Sequence, residues 1–204
     1  MNGVRELIAD MAKIKGYIFF AATLFLAGVA VGYATDVLDP YLVGQADSMR
    51  DLVERLDRMN NSQVWMFLFI FFNNFLKALA VVFLGALFGI IPVIMLAING
   101  LLIGYVFSAA ADNGLHVGSL FVRGILPHGV LEITAIVIAA AFGMRYGTLI
   151  LRELVGALRG RSGDESGELK RFHKSLGRLT AFLFFALLAA AFIESTVTFW
   201  LVRG

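Results

Sequence analysis

The run from Val64 to Ala111 constrains this chain more than any other feature. It is apolar nearly throughout, and it is more than twice the ~20 residues that a helix needs to cross hydrocarbon. A stretch of that length is two spans, and the Gly and Pro residues of GALFGIIP (85–92) punctuate it. Spans are therefore expected over 64–84 and 93–111. Three more runs are long and apolar enough to cross, at 17–33, 125–144 and 179–201. Composition agrees: 59% of residues are hydrophobic, against about 45–50% in a soluble domain, and the mean hydropathy is +0.83. The expectation is an all-α, polytopic integral membrane protein with five transmembrane helices, forming one membrane domain over 1–204. The first run lacks a small-residue cleavage site and reads as a retained span.

Charge orders the connecting segments. The N-terminal arm carries Arg5, Lys13 and Lys15, and the segment 145–178 carries Arg145, Arg152, Arg159, Arg161, Lys170, Arg171, Lys174 and Arg178. The segment 36–63 is dominated by Asp36, Asp39, Asp47, Asp51, Glu54 and Asp57. The positive-inside rule places the arm and the loop 145–178 in the cytoplasm, so the N-terminus is cytoplasmic and the C-terminus outside, in the cytoplasmic membrane. Within 36–63, Met49, Leu52, Val53, Leu56 and Met59 fall on one helical face. That predicts a short external amphipathic helix over 47–59. RGRSGDESGE (159–168) reads as a flexible cytoplasmic loop.

Ionisable groups inside spans are costly, by roughly 2.5–3.5 kcal/mol each on insertion scales. His128 and Glu132, four apart in GILPHGVLEITAIVIAAAFG (124–143), share one helical face. Counting from the outer end of each span, Asn73, Glu132 and Glu194 all fall roughly 10–14 Å deep. Asn74 stands beside Asn73. A deeper layer, roughly 18–20 Å down, holds Lys77 and Asn99. Asn73, His128, Glu132 and Glu194 are expected to converge in the bundle interior. Such groups serve as interhelical glue, worth on the order of 0.6–2 kcal/mol per bond, or as a pocket for an ion, proton or solute. No cofactor is implied, except that His128, Glu132 and Glu194 have the chemistry of a divalent metal site. Pro127 and Gly129 read as a helix break at the first turn of span four. Glycines recur four apart as Gly28/Gly32, Gly85/Gly89, Gly100/Gly104 and Gly143/Gly147. They permit close backbone approach within the chain, or a homodimer seam on span one.

The order FFNNF (71–75), AING followed by LLIG (97–104), ILPHGVLEI (125–133) and FIESTVT (192–198) resembles the stage II sporulation protein M family. The resemblance covers about residues 15–202. It implies a five-span prokaryotic protein of the cytoplasmic membrane that acts as a scaffold. In spore-forming bacteria the namesake anchors two peptidoglycan-degrading proteins.

Three functions follow. The first is a multipass scaffold that recruits or positions partners, namely other membrane or envelope proteins, within the lipid bilayer. The second is a small transporter or channel-like protein using the polar layer. The third is a metal-dependent intramembrane enzyme built on His128 and Glu132, with His116 approaching from the outer face. The third ranks last, because the spans hold no Gly-x-Ser-x-Gly element and no second His. Nothing in the charge pattern forms a nucleic-acid surface.

Overall fold

A computed structural model describes residues 2–35, 43–44, 47–48, 51–52, 54–56, 58–160 and 167–198. Among them there are helices and turns and no strand. The helices are α1 (Asn2–Lys13), α2 (Lys15–Ala34), α3 (Ser62–Leu84), α4 (Ile90–Asp112), α5 (Val117–Leu158) and α6 (Glu168–Ile193, continued by Glu194–Thr198). Five of these, α2 to α6, are long and apolar enough to cross a membrane. Large apolar side chains cover the outer surface, such as Phe19 (76% exposed) and Phe185 (68%). A bundle bathed in lipid accommodates that exposure.

Two glycine seams hold the bundle together. α2 packs chiefly on α4, and a Cβ added at Gly28 would stand 2.9 Å from the Ala97 carbonyl oxygen and 3.2 Å from the Gly100 Cα. Gly32 and Gly104 are as close to the opposite backbone. The second seam joins the α3–α4 turn to α5. Gly85 lies against the Gly143 backbone, Gly147 lies against Phe88 and Gly89, and Pro92 of α4 covers Gly143. Phe88 (φ 58°) and Gly89 (φ 76°) take left-handed conformations to make this turn. The glycine face of span one is thus spent inside the chain, and a second copy would have to dock elsewhere.

α5 forms the spine. From Ala135 to Met144, every residue except the half-buried Ile136 is buried. Leu179, Leu183, Leu187, Ala190 and Ala191 of α6 complete that core. Phe71 and Phe75 of α3 meet Phe184 of α6 edge-on, with centroids 5.2 and 5.6 Å apart.

Several sequence expectations change. The segment 145–178 is not one loop: residues 145–158 and 168–178 are helical arms that carry α5 and α6 onward, because Leu, Arg, Glu and Lys there are good helix formers. The expected flexible loop 159–168 falls mostly on 161–166, outside the described residues. The external helix expected over 47–59 also lies in part outside them, while 47–48, 51–52 and 54–56 are helical. The N-terminal arm is a helix, α1, with Leu7 buried and Met11 against the core. Arg178 straps it to α6, its Nη1 2.9 Å from Glu6 and its Nη2 2.6 Å from Asp10.

Candidate functional site

Pro127 does not begin span four. The helix starts ten residues earlier, at Val117. Proline has no N–H and crowds the carbonyl four residues back. Here the backbone widens just before it: Leu120–Ile125 is a π-type segment, and the Leu126 N–H donates to the Phe121 carbonyl, five residues back. One turn beyond the widened stretch lies His128, and two turns beyond it Glu132. α6 widens in the same manner at Glu194–Thr198. Ser195 and Thr196 each donate a hydroxyl to the Phe192 carbonyl, a side-chain bond that competes with the regular helix ladder. Single π-type turns inside helices recur at functional sites. Here two of them flank the same cluster.

The cluster joins three ionisable side chains from two helices. His128, Glu132 and Glu194 each place one ligand-type atom so that all lie within 4.8 Å of one another. His128 Nε2 is 3.8 Å from Glu194 Oε2, with the imidazole 12% exposed and the carboxylate 32%. α5 and α6 run antiparallel, joined at 159–167, which brings the start of one against the end of the other. Two carboxylates so close in an apolar layer require compensating positive charge. His128 supplies one possible charge. Lys77, on α3, is near enough for its charge to act on Glu132. A bound cation would supply another.

The expected polar layer is therefore built in part. His128, Glu132 and Glu194 converge. Asn73 donates its Nδ2 to Asn74 Oδ1 at 3.2 Å, a bond between neighbours on α3. Asn99 donates to the Met95 carbonyl of its own helix at 2.8 Å and stands on the helix that packs against α2. Lys77 is exposed and attends the cluster by charge rather than contact. Gly129 is buried, with Ile125 and Ile133 nearest to where a Cβ would be. His116 cannot approach His128: they are separated along one continuous helical run by about 18 Å. The sequence reading missed α1, although Val4, Leu7, Ile8, Met11 and Ile14 fall at helical spacing.

Imidazole with two carboxylates suits a zinc-like divalent ion. Tetrahedral ligand atoms about 2.0–2.1 Å from such an ion would be somewhat closer to one another than this group is, so small rotamer changes would complete it. Three protein ligands leave one position for water.

Fold and cluster together define a helical, multipass membrane protein with an ionisable group held between two spans. The model of the family described as stage II sporulation protein M matches residues 17–199, and the chain belongs to that family. It is similar to an uncharacterized protein of Methanocaldococcus jannaschii, 24% identical over 206 residues that cover 98% of this chain and 89% of the relative. No solved structure gives a significant match.

Proposed function

We propose that this protein is a multipass scaffold of the cytoplasmic membrane that positions other membrane or envelope proteins. In this reading the arms of α5 and α6 face the cytoplasm, as their basic residues favour. The observation that carries the proposal is the plug beneath the polar cluster. Ala135, Ala139, Ala140, Ala141 and Phe142 are at most 1% exposed, and Leu179, Leu183 and Leu187 at most 2%. This apolar packing fills the space between His128, Glu132 and Glu194 and the basic end. A conduit would need polar lining there; a scaffold needs rigidity, which close packing supplies.

A second reading is favoured by the cluster itself: His128, Glu132 and Glu194 hold a divalent cation that staples the outer ends of α5 and α6. Removing one partner from such a group leaves uncompensated charge in an apolar layer. The staple would fix the outer surface on which partners assemble. The open fourth position also keeps the metal-dependent enzyme alternative testable on the same site.

Two measurements decide. Metal content of detergent-purified protein is determined by mass spectrometry for wild type, His128→Ala and Glu132→Gln; the staple reading expects about one equivalent of a transition metal per chain, lost in both variants. Proteoliposomes are assayed for proton, cation and solute flux, and the scaffold reading expects none. Flux that Glu132→Gln abolishes would replace the scaffold with the transporter alternative. Metal-free wild type would remove the staple and leave the scaffold standing.

A further inference from the structure

At the opposite end of the bundle from the His128 cluster, α1, α5 and α6 enclose a cavity of about 270 Å³. At ~30 Å³ per water molecule, it has room for a phosphodiester headgroup or a hydrated phosphate. Its charged lining is Lys13, Arg145, Arg171, Asp10 and Glu168. Three cations face two carboxylates, which leaves one formal positive charge in excess. The internal pairs use that charge unevenly. Arg145 holds Glu168 at 2.9 Å. Lys13 reaches Asp10 at 3.4 Å, with its side chain 71% exposed. Arg178 holds the other Asp10 oxygen at 2.6 Å, so Asp10 has a stronger partner than Lys13. Lys13 is therefore less committed to its neighbour than Arg145 is.

The depth of the cavity matters as much as its charge. Arg145 stands two residues from Gly147, against which the α3–α4 turn packs. Around that turn Leu84, Leu87, Phe88 and Ile90 are 43–56% exposed, so hydrocarbon reaches this level. On α5 and α6 the charged residues Arg145, Arg152, Arg171 and Lys174 begin there. The cavity thus opens at the hydrocarbon edge, where phospholipid phosphates lie. Basic pockets between transmembrane helices take anionic headgroups at that depth, and guanidinium groups bind phosphate with paired hydrogen bonds.

We propose that this cavity binds a phosphate-bearing anion through Lys13, Arg145 and Arg171, supplied either by an acidic phospholipid of the bilayer or by soluble phosphate. Two of its charged residues, Lys13 and Asp10, lie outside the 17–199 match, so the site is not contained in the family resemblance. It is also independent of the proposed scaffold role and of any metal at His128.

The test uses the full chain in nanodiscs of phosphatidylcholine alone, or of phosphatidylcholine mixed with phosphatidylglycerol, with the thermal midpoint as readout. The mixed discs are expected to raise Tm by about 3–5 °C. Lys13→Gln with Arg171→Gln should abolish that rise. Lys174→Gln, which removes an exposed cation outside the cavity, should retain it and so separates the site from general surface charge. Inorganic phosphate added to phosphatidylcholine discs distinguishes the sources: the same rise identifies a soluble ligand, and no rise identifies the lipid. Where the double variant does not fold, Lys13→Gln alone is measured; its exposed side chain makes it structurally benign, and it should lose a large part of the rise. Failure of both phosphatidylglycerol and phosphate to shift Tm overturns the proposal. So does an undiminished rise in the Lys13 variants, or an equal loss in Lys174→Gln.

Discussion

Between α2 and α4 nothing but hydrogen separates the backbones at Gly28, Gly32, Gly100 and Gly104. Between α5 and α6, at the His128 end, three ionisable side chains separate them. The first contact achieves fit by deleting side chains, so dispersion acts over a long, close seam. The second widens both helices by π-type turns and fills the gap with charge. A seam of the first kind has one solution and no room for a ligand. A joint of the second kind is incomplete until its charges are balanced. Rigidity and binding are thus divided between different helix pairs, with the packed core of α5 shared by both.

The largest effect is expected where that division is broken from the rigid side. Gly147→Leu would drive a side chain into the Gly89 and Phe88 backbone. It should cost ~3 kcal/mol or more, seen as loss of the monodisperse peak in detergent. Gly16→Leu, with nothing within 4 Å of an added Cβ, should leave that peak unchanged. If both variants behaved alike, the seam would not be the fixed element.

Next comes the charged joint. Glu194→Gln should bind no metal, against about one equivalent in wild type, and chelation should lower the wild-type Tm while leaving the variant unmoved. A wild type indifferent to chelation would mean that the joint is completed by His128, Lys77 or a proton rather than by a metal. A smaller effect is expected from the strap. Arg178→Ala frees Glu6 and leaves Asp10 to Lys13, which should cost about 1 kcal/mol at this part-exposed site and speed amide exchange across α1 far more than across α2. The smallest is Asn99→Ala. Among the described residues its amide bonds a carbonyl of its own helix, so a change below ~0.5 kcal/mol is expected; a large loss would reveal a partner across the α2–α4 seam.

Hydropathy was enough to reveal the spanning helices and the break at 85–92, because hydrocarbon thickness sets their length and Gly and Pro mark the turn. The polar cluster was legible as far as three of its members. His128 and Glu132 share a face, and Glu194 lies at the same depth. Depth alone could not say which way Asn73 and Asn99 turn, since an amide satisfied by a neighbour or by its own backbone leaves no trace in spacing. Pro127 misled for a related reason: a proline near a polar pair reads as a helix start, whereas a widened turn absorbs it within a continuous helix. The glycine pairs announced close approach without naming partners, because spacing four fits several helices equally well. α1 was obscured by its charges, although its apolar residues keep helical spacing.

α5 is a single run of 42 residues, which rises about 63 Å at 1.5 Å per residue. The hydrocarbon core is about 30 Å thick, so roughly half of that run reaches beyond it. Its closest backbone approach to another element is the glycine seam near Gly147, and Leu158 stands about 16 Å further along. Mechanically the arm beyond Gly147 is a lever on a fulcrum. A rocking of about 10° at the seam, of the kind that a change in bilayer thickness imposes on a tilted helix, would carry its tip nearly 3 Å sideways at that reach. Leu151, Leu154 and Leu158 would move with it, so anything seated on that arm would feel the thickness of the membrane.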